Sequence, residues 1–107
     1  MNELENLCFE LISYAGDARS NFIEAIDLSR EGKFKEALSL IDKGNEEFVE
    51  GHTAHAKILS EHAKGNNALN EMLLMHAEDM MMSAENFGII AKNDLHLYQM
   101  LYDLKDR

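Results

Sequence analysis

The sequence predicts an all-α protein, an antiparallel up-down-up bundle of three helices. Three observations predict it. Proline is absent from all 107 residues, so no predicted helix loses a backbone donor to a pyrrolidine ring. Methionine is abundant, with seven residues, while β-branched runs are nearly missing. Apolar residues recur at helical spacing over three long stretches, separated by short breaks around Gly32 and Gly65. The length fits one domain over residues 1–107 with a modest core.

The first helix is expected over residues 2–29, within the usual boundary error. Leu4, Leu7, Cys8, Leu11, Ile12, Ala15, Phe22 and Ile26 follow helical spacing. Cys8 lies in that stripe and reads as a buried small apolar residue rather than a nucleophile. As the sole cysteine it excludes an internal disulfide. Gly16 costs about 1 kcal/mol relative to alanine inside a helix, which points to close approach by another backbone. Asp17 and Arg19 are two residues apart and face different neighbours.

Gly32 is suited to end the first helix with positive φ. The second helix follows over residues 33–63, with Phe34, Ala37, Leu38, Ile41, Phe48, Ile58 and Leu59 as its inner face. Gly44 and Gly51 again point to tight contacts. The start of this helix, Gly32 to Leu38, is similar to the start of a tetratricopeptide unit, but it occurs once and repeat folds need several copies. His52, His55 and His62 lie along this helix, and His55 and His62 share a face. No cysteine or flanking acid on the helix completes a four-ligand metal set, so they read as exposed or interfacial histidines. A histidine-rich metal carrier is a weaker reading. Asn66 or Asn67 is available to cap the third helix, expected over residues 69–105 with a frayed end from Asp103. Short linkers make neighbouring helices antiparallel.

The third helix is the central element. At about 100° per residue, with Asp79 at zero, Met72, Met75, Met82, Ser83, Asn86 and Ile90 cluster within roughly 60° of it. Leu73, Met80, Ala84, Phe87, Ala91, Leu95, Tyr98 and Tyr102 form a second stripe about 110° away. One stripe packs on the chain's own core. The other needs a partner, most simply another copy of the chain. His76 falls at about 60°, on the seam between the stripes.

The formal net charge of −10 argues against nucleic acid and anionic membrane surfaces as partners and leaves room for basic protein surfaces. Nothing at the N-terminus resembles a signal peptide and no stretch is apolar enough to span a bilayer, so a cytoplasmic protein is expected.

A histidine on an apolar patch is suited to accepting a phosphoryl group from a docked protein. Its imidazole is a nucleophile near neutral pH, and an apolar rim lets the partner exclude water from a labile phosphohistidine. Symmetry about the partner-facing stripe would gather copies of Asp79, whose carboxylates repel. A hard divalent cation with oxygen ligands relieves this. Asp79, Asn86 and Asn93 share a spacing of seven, the heptad placement that sets register and oligomer state in coiled coils. A symmetric assembly follows, dimer or trimer. The competing reading is a non-catalytic helical adaptor that binds a partner through its Met-rich face.

Three segments carry a resemblance: Tyr14-Ala15-Gly16-Asp17-Ala18-Arg19-Ser20, Glu50-Gly51-His52, and Met75-His76-Ala77-Glu78-Asp79. With the breaks at Gly32 and Gly65, they resemble the lactose/cellobiose family of enzyme IIA proteins of the bacterial phosphoenolpyruvate-dependent sugar phosphotransferase system. The resemblance covers nearly the whole chain. It implies a homotrimer with the third helices around the three-fold axis. It implies that His76 takes a phosphoryl group from the phosphocarrier HPr and gives it to a cysteine of the cognate IIB component. A membrane IIC permease then couples the step to uptake of a cellobiose, chitobiose or lactose type of sugar. It also implies that Asp79 from three chains binds one divalent cation, magnesium by preference. Two features depart from the family. Glu78 and Met80 replace a glutamine and a second histidine after His76, and His55 stands where a glutamine is common. Glu78 is expected to alter partner contacts or to add an acid near the axis. His55 is expected to replace, or lose, a contact to the phosphohistidine of a neighbouring chain.

Overall fold

The computed structural model describes residues 2–65 and 70–105. Three helices account for nearly all of them: α1 (Glu3–Arg30), α2 (Phe34–Ala63) and α3 (Glu71–Lys105). Local chemistry sets their ends. The Asn2 side chain accepts the Glu5 N–H at 2.9 Å, and Glu5 reaches back to the Asn2 N–H, a reciprocal capping box that starts α1. Gly32, at φ 81°, ends it by adopting the left-handed conformation. Lys33 then starts α2 with no side-chain cap. At α3 the Asn70 side chain accepts the Leu73 N–H at 3.2 Å. The expected caps Asn66 and Asn67 lie outside the described residues. The helix runs to Lys105, the expected end.

Side-chain neighbours fix the topology. Leu11 lies against Gly51 and Phe22 against Gly44, so α2 runs antiparallel to α1. Gly16 meets Met80, and the Tyr102 hydroxyl donates to the Arg30 carbonyl at 3.0 Å, so α3 runs parallel to α1. The result is the expected up-down-up bundle, elongated at 62 × 17 × 16 Å.

The core is a seam with two apolar clusters. Leu4, Leu7, Cys8, Leu11, Ala54, Ile58 and Ala77 fill one end. Ala15, Ala18, Phe22, Ala25, Ala37, Ile41, Ala84, Ala91 and Leu95 fill the rest. Small residues are frequent among the buried positions, and Phe22 is the largest fully buried side chain of the core. Its ring is clasped by Gly44 of α2 and Gly88 of α3. Two expected inner-face residues point outward instead: Leu38 is 50% exposed and Leu59 48%. The buried positions of α2 are Ala37, Ile41, Gly44, Gly51, Ala54 and Ile58. Leu38 and Leu59 each follow a buried residue by one position, about 100° round the helix. Gly16 also differs from expectation, because a Cβ placed there would meet the Met80 side chain, at an ordinary 3.7 Å, and not a backbone.

Candidate functional site on the third helix

The two predicted stripes of α3 behave differently. Ala84, Ala91 and Leu95 are buried, and Leu73, Met80, Phe87, Tyr98 and Tyr102 are half-buried against α1 and α2. On the other stripe Met72, Met75, Met82 and Ile90 stay exposed, with Met72 at 81%. This face extends further than the sequence reading placed it. Ile89, Leu97, Met100, Leu101 and Leu104 are exposed as well and continue it to the end of the helix. Asp79, Asn86 and Asn93 stand along the same face and are exposed.

His76 is exposed and lies one turn before Met80. Met80 touches Gly16 and Phe87 lies under the Arg19 guanidinium, 5.4 Å from its carbon, so this edge of α3 is the one that borders α1. Arg19 thus gains a cation–π contact, whereas Asp17 is exposed on the outer surface. His76 sits at the junction of the α1-facing edge and the open apolar face, three residues before Asp79. Among the described residues of the chain it has no hydrogen-bond or ion-pair partner to orient its ring. Nor do three His, Cys, Asp or Glu groups of one chain converge to hold a metal, among the described residues. Asp79 offers a single hard carboxylate, so a cation site at this position needs carboxylates from other copies.

The two departures from the family pattern meet each other. His55 Nε2 lies 2.8 Å from Glu78 Oε2, across the α2–α3 boundary. Glu78 therefore faces α2 and adds no acid to the open face, because it lies about 100° from Asp79 in the direction of the bundle. His55 is half-buried and engaged within its own chain. His52 and His62 are exposed, as expected. His52 stacks edge-on to Phe48 at 5.7 Å. The His55–Glu78 pair was not found from sequence, since helical periodicity does not join residues 23 apart on different helices. Cys8 is fully buried, and burial pushes its thiol pKa up, with the nearby charges of Glu78 and Glu5 adding to the effect. It is a neutral core residue, not a nucleophile.

Comparison with known proteins decides the family. The family model for the lactose/cellobiose-specific IIA subunit of the phosphotransferase system matches residues 6–99. The chain belongs to this IIA family. The lactose-specific EIIA component of Staphylococcus aureus is 34% identical over 97 residues, 91% of this chain and 94% of that protein. The oligo-beta-mannoside-specific EIIA component of Bacillus subtilis is 34% identical over 95 residues, 89% of this chain and 86% of that protein. The crystal structure of the cellobiose-specific enzyme IIA from Bacillus anthracis aligns with a TM-score of 0.90 at 31% identity, covering 96% of this chain and 94% of that one. The IIA chain is thus a component of a sugar phosphotransferase system with the three-helix fold of its relatives. Among its described residues no helix is long and apolar enough to cross a membrane.

Proposed function

We propose that this IIA protein is a cytoplasmic phosphoryl carrier that works through His76. A deprotonated ring nitrogen of His76 attacks the phosphorus of phospho-HPr. The N–P bond forms as the bond from phosphorus to HPr breaks. The cysteine thiolate of the IIB component then attacks the same phosphorus, and an S–P bond replaces the N–P bond. The transfer feeds uptake of a β-linked disaccharide of cellobiose, chitobiose or lactose type through the membrane IIC component. The observation that carries this reading is the placement of His76, exposed beside Met72 and Met75 on an open apolar face. A docked protein reaches the ring directly, and the methionines exclude water around the transferring group.

The same face supports a homotrimer with α3 from each copy around the axis. An apolar stripe running from Met72 to Leu104 is far more than the scattered exposure of a monomer. The sevenfold spacing of Asp79, Asn86 and Asn93 supplies polar layers that fix register. Three Asp79 carboxylates on the axis would form an all-oxygen donor set suited to a magnesium ion. Bound there, the ion would neutralise the clustered charge. The residues of this chain do the rest: the methionines pack the interface and His76 stays accessible at its edge.

Phosphoryl transfer tests the reading. The protein is incubated with phosphoenolpyruvate, enzyme I and HPr, and its intact mass is measured beside His76→Ala. One added, acid-labile phosphate on the wild type and none on the variant is expected. No phosphate on either, with active HPr shown, replaces the carrier with the adaptor that binds a partner through the Met-rich face.

A further inference from the structure

Glu78 and His76 project from nearly opposite sides of α3, because two residues at about 100° each leave them roughly 160° apart. Whatever holds Glu78 therefore holds the rotation at which His76 is presented. We propose that the His55–Glu78 hydrogen bond is a positioning clasp for phosphoryl transfer, fixing α3 so that His76 meets the incoming phosphorus in line. The inference rests on the carrier reading of His76.

Three features of the α2–α3 boundary give the clasp its weight. Near the bond each of the two helices contributes a small buried residue to the same core cluster, Ala54 and Ala77. An alanine offers little ridge to resist rotation. Further along, the two helices part around a cavity of about 240 Å³ lined by Phe22, Asn45, Phe48, His52, Glu85 and Lys92 among others. Among the described residues, His55–Glu78 is the one side-chain hydrogen bond between α2 and α3. Asn21–Glu47 joins α1 to α2, and Tyr102–Arg30 joins α3 to α1 at the far end. The His55 side of the bond is sheltered, its side chain 14% exposed, while Glu78 is 37% exposed.

The geometry sets the size of the effect. A helix with its side chains has a radius of about 5–6 Å, so a rotation of about 10° moves an outward group by roughly 1 Å. A displacement of that size at a reacting centre costs up to about a hundredfold in rate. Loss of the clasp is therefore expected to slow transfer by about tenfold or more, chiefly in kcat at saturating HPr rather than in KM.

Two double variants separate positioning from stability. His55→Leu/Glu78→Leu removes both polar groups together, which leaves neither unsatisfied and keeps the fold. His55→Gln/Glu78→Gln keeps a neutral hydrogen bond between the helices. Thermal unfolding and the initial rate of phosphate uptake from phospho-HPr are measured for both. The expected result is a Tm close to wild type for both, a rate within about twofold of wild type for the glutamine pair, and a rate about tenfold lower for the leucine pair. Transfer by the leucine pair at the wild-type rate overturns the clasp, as does a glutamine pair as slow as the leucine pair. If the leucine pair fails to fold, Glu78→Ala takes its place, compared at a temperature where it is folded by circular dichroism. No phosphate on the wild type, with active HPr, overturns the carrier reading and the clasp together. Phosphate on the wild type with equal rates in every variant overturns the clasp alone.

Discussion

Gly44→Ala tests whether the Phe22 ring is the fixed centre of the bundle. A Cβ at position 44 would stand 2.5 Å from Phe22 Cε1 and 2.9 Å from Cδ1 and Cζ, well inside van der Waals contact. The ring cannot swing away. It is 2% exposed, and its other edge would lie 3.0 Å from a Cβ at Gly88. Alanine gains about 1 kcal/mol over glycine in helix propensity. Overpacking a filled core costs about 1–3 kcal/mol, and a ring closed from both sides belongs in the upper half of that range. The net expectation is a loss of about 1–2 kcal/mol. For a chain of this length that lowers Tm by about 5–15 °C, measured by circular dichroism at a fixed protomer concentration because self-association raises Tm by mass action. Phe22→Leu in the same chain as Gly44→Ala removes the clash, so the double variant loses less than the sum of the singles. A Gly44→Ala protein as stable as wild type, or losses that simply add, would refute the clasped-ring account.

Three further outcomes follow from the same structure. Gly32→Ala forces a side chain into φ 81° and sets its Cβ 2.6 Å from Tyr102 Cε2, so it costs about 1–3 kcal/mol. Urea midpoints check this, and an unchanged midpoint counts against it. In the proposed trimer, Asp79→Leu would remove the clustered carboxylates and keep the face apolar. It should sediment as the wild-type oligomer and no longer respond to chelator, because apolar replacement removes the need for charge compensation; a monomer would contradict this. The folded Cys8 thiol is held above its ordinary value of 9.0. Its contribution to stability is whole below that pH and is lost as pH rises towards the folded value. The stability advantage of wild type over Cys8→Ala therefore narrows as pH rises above 9.0, and a constant gap in urea midpoints would contradict the shift.

The three helices and their order were legible in the sequence because periodicity is local. Leu4, Leu7, Cys8 and Leu11 recur at the helical period, and only a residue free to take positive φ suits position 32. The two stripes of α3 were legible for the same reason, since angular position along one helix needs no knowledge of its neighbours. The open face was less legible towards its end, where Leu97, Met100 and Leu104 continue it, because there the apolar residues alternate with polar ones such as His96, Gln99 and Asp103. Contacts between helices were not legible. The outward turn of Leu38 and Leu59 depends on where the seam of α2 settles against α1. The clasp of Phe22 needs Gly44 and Gly88 brought to one level by two different crossings. His55 and Glu78 each read as an isolated departure, and only the antiparallel descent of α2 beside α3 set them 2.8 Å apart. Within one helix the chain's own pitch determines which residues share a face. Between helices, small residues at the crossings determine depth, and that information exists only once the helices have packed.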